Sequence, residues 1–208
     1  SGLAAMEACL AFVPVSFGPH VPIATEAALS LATPAQPIRV QYQALRLLGV
    51  LCESSVKMDP SFSVRILQTL AQAVQSPCTK VSALACLVIV SYCRGGAMKH
   101  EDGPHPVVAY LSDLLQALTS GPLSMQGAPV VTIRAVGAVA CLAETSGEAF
   151  VPFYGAVIPG LLAGSRMQHR GSHEVTQLIG ASIEAATIVG QAIESDEATR
   201  SIYAKDAE

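Results

Sequence analysis

Two clusters in this chain carry residue types that could do chemistry. His169 and His173 stand four apart, the spacing at which two imidazoles on one helix face can hold a divalent metal. His100, Glu101, Asp102 and His105 combine imidazoles and carboxylates, the groups used for metal binding and for general acid–base work. Neither cluster completes a site. Gly171 and Ser172 interrupt the helix that the histidine pair would need, and no set of cysteines or carboxylates completes its ligands. The second cluster is bounded by Gly95-Gly96 and Gly103-Pro104, the punctuation of a loop between helices. Both are read as solvated loops.

The six cysteines are Cys9, Cys52, Cys78, Cys86, Cys93 and Cys141. None forms a C-x-x-C pair, and most sit in apolar runs. They read as small core side chains of a protein in a reducing compartment. No G-x-S-x-G, H-E-x-x-H or Walker sequence occurs. The chain is therefore expected to catalyse nothing and to hold no metal or cofactor.

Composition points the same way. Of 208 residues, 51% are hydrophobic and 13% charged, about half the usual charged share. Helices so poor in charge must be covered on more than one side. Formal net charge is −4, which disfavours direct nucleic-acid binding and permits a basic protein partner. Mean hydropathy is +0.46, so a membrane span has to be considered. The apolar runs 81–90 and 128–143 are shorter than the roughly 20 residues a span requires, and Arg134 interrupts the second. Buried helices without membrane insertion are expected. No signal peptide is visible, and the chain opens inside a helical pattern, as a piece of a longer protein would.

The apolar residues repeat. A first series has the i, i+3, i+4, i+7 spacing of a buried helix face. It reads Ala24, Ala27, Ala28, Leu31; then Leu67, Leu70, Ala71, Val74; then Leu111, Leu114, Leu115, Leu118; then Ile158, Leu161, Leu162. These are the A helices. Between them lie the B helices, headed by Val40, Val81 and Val131, with a weaker fourth of Val175, Ile179, Ile183 and Ala186 that has Ser182 at one inner position. Pro22, Pro60, Pro106 and Pro152 stand at or near A-helix starts, where a missing N–H costs least. No useful stretch alternates with the period of a strand.

Two helices per roughly 40–47 residues is the HEAT/armadillo period. The expected fold is all-α, a right-handed HEAT-repeat superhelix of antiparallel helix pairs. Its expected parts are the tail of a preceding B helix at 1–13, repeats at 19–53, 60–94, 105–146 and 149–194, and the start of a further A helix at 196–208.

Particular phrases carry a resemblance. Phe150-Val151-Pro152-Phe153-Tyr154 through Ile158-Pro159-Gly160-Leu161-Leu162 resembles a helix of the importin-β superfamily, most closely the importin-five or karyopherin beta-three type. Gly180, Ile183-Glu184 and Ile188-Val189-Gly190 resemble the helix that follows it. Ile38-Arg39-Val40 with Ala44-Leu45 and Leu48-Gly49 resembles a HEAT B helix of that family. There are departures. Ala35-Gln36 stand where an aspartate often precedes the HEAT arginine, and no acidic loop insertion for Ran is visible. The absence of tryptophan argues against importin-α. The resemblance implies a nuclear transport receptor that shuttles between cytoplasm and nucleus. Its implied partners are protein cargo with basic localisation signals, Ran-GTP, and phenylalanine-glycine nucleoporins. A generic HEAT scaffold, such as a phosphatase or vesicle-coat subunit, is the other reading.

In HEAT arrays the B helices line the concave, partner-binding face. The candidate partner-binding residues there are Gln43, Arg46, Glu53, Glu144, Gln177, Glu184, Gln191 and Glu194. Gln177, Glu184 and Gln191 recur every seven residues, and Glu53, Glu144 and Glu194 lie near B-helix ends. Phe62, Tyr110, Phe153 and Tyr154 are aromatics of the A helices that either pack under the next helix or wall grooves for phenylalanine-glycine peptides.

Overall fold

A computed structural model describes residues 2–12, 17–54, 58–95, 104–124, 128–167 and 172–192. Helix accounts for 87% of them, and no strand occurs among them. His100, Glu101, Asp102, His169, Glu194 and the segment 196–208 lie outside the described residues.

The helices are α1 (Gly2–Phe12), α2 (Val21–Leu31), α3 (Ile38–Glu53), α4 (Ser61–Val74), α5 (Thr79–Arg94), α6 (Leu111–Ser120), α7 (Pro129–Ser146), α8 (Tyr154–Ser165) and α9 (His173–Ala192). Single-turn 3₁₀ segments lead into α2, α6 and α8 at Gly18–His20, Pro106–Tyr110 and Gly147–Phe153, and a fourth, Pro122–Ser124, precedes α7. The prolines fit this geometry. Pro22 lies in the first turn of α2, and Pro106 opens the segment before α6. Pro159 is inside α8. The carbonyl it leaves without a donor belongs to exposed Gly155, where water can reach it.

The helices form two layers. α1, α3, α5, α7 and α9 stack side by side in one, and α2, α4, α6 and α8 in the other. Neighbours in the first layer pack along their lengths, whereas those in the second touch over shorter stretches. A stack that is tight on one layer and open on the other curves toward the tight layer, so the outward side of the odd-numbered helices is concave. The close approach is visible at small residues. A Cβ on Gly49 of α3 would come within 3.3 Å of Val88 on α5. A Cβ on Gly95, just beyond α5, would overlap the carbonyl of Cys52 on α3.

The cores of α4, α5, α6 and α7 lie on their apolar series. Leu67, Leu70 and Val74 are buried, as are Val81, Ala85, Val88, Ile89 and Tyr92, and Val131, Ala135, Ala138, Val139 and Leu142. The stretch Pro129–Ser165 is long and apolar enough to cross a membrane by length and composition. However, 61% of the 18-residue apolar window within it is buried inside the protein, because α7 is clasped between α5 and α9. Its apolarity is accounted for by the core.

The last B helix departs from the expected face. Leu178, Ser182, Ala185, Val189 and Gly190 are the buried residues of α9, not Val175, Ile179, Ile183 and Ala186, and Ile183 is 55% exposed. The reason is steric. Gly164 of α8 abuts Ser182 so closely that a Cβ on the glycine would overlap the serine hydroxyl. Two small residues let α8 and α9 approach, and that contact fixes the rotation of α9 about its axis.

A polar clamp recurs one residue after the first three B-series heads. Gln41 Nε2 donates to the Gln36 carbonyl at 2.5 Å and to the Pro34 carbonyl at 3.4 Å. Ser82 Oγ donates to the Val74 carbonyl at 2.6 Å. Thr132 Oγ1 donates to the Pro122 carbonyl at 3.0 Å. All three side chains are buried, and each satisfies a carbonyl at the end of its A helix or in the turn that follows. Gln41 thus ties down the turn in which Ala35-Gln36 replace the usual aspartate.

Losing such a clamp leaves a buried carbonyl unpaired, at a cost of about 1–3 kcal/mol. Ser82→Ala and Thr132→Val should each lower the unfolding free energy by about that much in urea titrations. Ser120→Ala, which removes an exposed hydroxyl contact, should change it by less than about 0.5 kcal/mol. Equal effects at all three positions would mean that the clamps carry no special role.

Candidate functional site

The concave face is a grid. Each B helix presents outward residues at intervals of three and four, and the helices lie side by side. On α3 these are Arg39, Gln43, Arg46, Val50 and Glu53; on α5, Lys80, Leu84, Leu87, Ser91 and Arg94. On α7 they include Val130, Arg134, Gly137 and Glu144, and on α9 Gln177, Glu184 and Gln191. All the charged members are exposed.

The C-terminal ends of the B helices are linked across this grid. Ser91 Oγ donates to Glu53 Oε1 at 2.5 Å, joining α5 to α3. Arg94 lies 3.8 Å from Glu144, joining α5 to α7. Both groups of the second pair are exposed, so the pair itself contributes little to stability. Glu53 and Glu144 are therefore interleaved with a cation and do not form an isolated acidic patch. Glu184 is exposed on α9. Gln177 lies 3.0 Å from the His173 ring. His173 opens α9 rather than standing in a loop. Gln43 is only half-exposed, and its Oε1 is buried with no hydrogen-bond partner among the described residues. Arg39, Lys80, Arg94 and Arg134 were not among the candidates, although Arg39 and Arg46 share the seven-residue spacing used to pick Gln177 and Glu184.

His105 is structural. Its Nδ1 accepts from the Val107 N–H and so caps the turn before α6. Its ring stands edge-on to buried Tyr92 at 5.5 Å, sealing one repeat against the next.

The thiols are also part of the packing. Cys52, Cys93 and Cys141 form a row across α3, α5 and α7, close enough for each to feel its neighbour's charge. Burial pushes the Cys52, Cys86 and Cys93 thiols up to about 12. Cys141 is also raised by burial, with Arg94 acting against the shift. Buried neutral thiols are poor nucleophiles and poor metal ligands. Among the described residues no group of three or more His, Cys, Asp or Glu could hold a metal ion.

On the opposite face, Pro22, Ile23, Glu26, Ala27, Ser30 and Phe62 line a shallow groove of about 530 Å³ between α2 and α4. Ile23 is 65% exposed. Arg65 holds Glu26 by two hydrogen bonds, at 2.5 and 2.8 Å; these keep the Glu26 carboxyl below its usual range. Phe62 is half-buried here, whereas Tyr154 is buried in the core. Tyr110 and Phe153 are half-buried against the core.

No family model matches the sequence, and no curated protein matches it. Solved structures do match. Kap121p bound to Ste12p superposes with a TM-score of 0.76 at 21% identity, covering 98% of this chain and 19% of that one. Kap121p bound to Nup53p gives 0.76 at 22% identity with the same coverage. Kap121p bound to RanGTP gives 0.70 at 21% identity, again with that coverage. The present chain thus spans about a fifth of the length of these karyopherins. The likeness is one of fold, an all-α HEAT-repeat solenoid like that of Kap121p.

The thiol row yields a prediction. Unfolded thiols ionise near pH 9, while Cys52, Cys86 and Cys93 stay protonated to about 12. Above pH 9 the unfolded chain therefore binds fewer protons than the folded one, and stability must fall as pH rises. The melting midpoint should be flat from pH 7 to 8.5 and drop steadily beyond pH 9. Peptide mapping after alkylation at pH 8 should find half-buried Cys78 modified well before these three. Rapid modification of Cys93 in the native protein would contradict the buried row.

Proposed function

We infer that this chain is a segment of a nuclear transport receptor of the importin-β superfamily, of the importin-five or karyopherin beta-three type. The observation that carries the reading is the superposition of 98% of the chain on Kap121p at a TM-score of 0.76. The phrases from Phe150 to Leu162 and from Gly180 to Gly190 support it. Structures of Kap121p bound to Pho4p, to Nup53p and to RanGTP support the corresponding partners here. These are protein cargo with basic signals, phenylalanine-glycine nucleoporins and Ran-GTP, met while the protein shuttles between cytoplasm and nucleus. No catalysis is involved.

In this reading cargo binds the concave grid. Glu53, Glu144 and Glu184 offer carboxylates to basic side chains, while Gln177 and Gln191 offer amide hydrogen bonds. Opposite charge raises the encounter rate and selects sign. The groove between α2 and α4, with Ile23 exposed and Phe62 in its wall, suits an aromatic side chain of a nucleoporin repeat. A generic HEAT scaffold, of the phosphatase or vesicle-coat kind, is the second reading; the lack of any matching family model keeps it open.

A pulldown with the full-length protein separates the two. Ran loaded with non-hydrolysable GTP should be retained and should displace bound cargo, whereas a generic scaffold would be indifferent to it. At residue level, a Glu53→Gln, Glu144→Gln, Glu184→Gln triple variant should bind a basic localisation peptide about tenfold more weakly at low salt. The difference should shrink near physiological salt. Equal affinity at both salts, with folding unchanged, would leave these carboxylates as a solvated face. Separately, Ile23→Ser should reduce retention on a phenylalanine-glycine resin without affecting the localisation peptide.

A further inference from the structure

One feature of the concave side does not fit a carboxylate surface for basic cargo. A groove of about 820 Å³ opens where α1, α3 and α5 meet. Its wall is apolar: Leu3 from α1, with Ile38, Val40 and Tyr42 from α3. Ile38 is 55% exposed, and with Leu3, Val40 and Tyr42 it makes a contiguous apolar surface rather than a scattered residue. Its charged lining is cationic on both sides, with Arg39 from α3 and Lys80 from α5. Both are exposed, and neither has an ion-pair partner among the described residues. Gln43 also lines it. Its buried, unpaired amide oxygen would reach a donor in the groove by rotation about the terminal bond.

The two cations oppose the local helix field. Each is the second residue of its helix, where the N-terminal end of the helix dipole is already positive. Two cations at two adjacent positive ends concentrate positive potential at one mouth, and the apolar wall beside them lowers the local dielectric and strengthens it.

We propose that this groove is a docking site for a short acidic segment of a partner protein, extended and carrying one large apolar side chain. Charge complementarity selects the occupant. Neighbouring packed helices lie about 8–10 Å apart, and alternate residues of an extended chain about 7 Å apart. Carboxylates at i and i+2 can therefore meet Arg39 and Lys80 together, with side-chain reach closing the difference. An apolar residue next to them covers Ile38 and Tyr42, and a peptide N–H satisfies Gln43. Two cations on a chain of net charge −4 match a short peptide better than a long polyanion. The site is opposite in sign to the basic-cargo surface and does not depend on the transport reading.

The test uses the full chain and three labelled nine-residue probes in fluorescence anisotropy. One probe is an Asp/Glu-rich peptide with a single central Phe, one is its Lys-for-acid counterpart, and one is a single-stranded oligonucleotide. The acidic peptide should bind in a salt-sensitive manner, and Arg39→Glu with Lys80→Glu should weaken it about tenfold. Ile38→Ser should weaken it severalfold, while Arg166→Glu, a charge reversal at exposed Arg166 beyond α8, should leave it unchanged. All substituted side chains are exposed, and circular dichroism melts should confirm intact folding. Equal affinity in the double variant overturns the proposal. So does tighter binding of the Lys peptide or of the oligonucleotide to this groove.

Discussion

Everything in this structure depends on one constraint: no helix pair here can bury its own apolar surface. α5 shows it most clearly. It meets α4 on one side and α3 and α7 on the others, so Val81, Ala85, Cys86, Val88, Ile89, Tyr92 and Cys93 are all buried. Only a narrow outward stripe remains for Lys80, Leu87 and Arg94. A helix so enclosed must be apolar nearly all round, which explains the low charged fraction and the membrane-like composition of α7. Stability is then held between repeats rather than within them, as expected of a stacked array. The small contacts at Gly49, Gly95 and Gly164 follow, because packed helices approach more closely where a side chain is missing.

The fold was legible in the sequence because two independent signals coincide. Apolar series at helical spacing recur at the repeat period, and prolines punctuate them where the chain turns. Leu67, Leu70 and Val74 illustrate the strong case, since periodicity alone identifies the buried face of α4. α9 illustrates the weak one. Val175, Ile179 and Ile183 are the more hydrophobic residues, and a hydrophobicity count selects their face. The structure keeps Ser182 inside, as its inner position in the series implies, but buries Leu178, Ala185 and Val189 with it, because the close approach to Gly164 rewards small volume rather than hydrophobicity. A count of apolar residues also passes over buried polar ones, which hid the clamp residues Gln41, Ser82 and Thr132. The two hydroxyls each serve one carbonyl and the Gln41 amide serves two, and a pattern of apolar residues does not register them.

The candidate site was less legible, for a related reason. Spacing along one helix reveals which residues share a face, and Gln177, Glu184 and Gln191 do. It does not reveal what stands on the next helix. Arg94 between Glu53 and Glu144, and Lys80 beside Arg39, are neighbours only because α3, α5 and α7 lie in register. Sequence separations of about 40 to 50 residues keep those pairs from being seen one helix at a time. The half-buried Gln43 is a further example, since the groove that encloses it takes residues from three helices.

The arrangement of charge on the concave face is not explained by helix stability. Arg39 and Lys80 sit in the first turns of α3 and α5, and Glu53 closes α3. Each is placed against the helix dipole, where exchange of sign would be mildly stabilising. Arg94, at the end of α5, is the exception that agrees with the dipole, and it is also the residue that pairs with Glu144. On α3 the charges run from Arg39 and Arg46 to Glu53, whereas α5 carries a cation at each end, Lys80 and Arg94, and the carboxylate beside Arg94 belongs to Glu144 of α7.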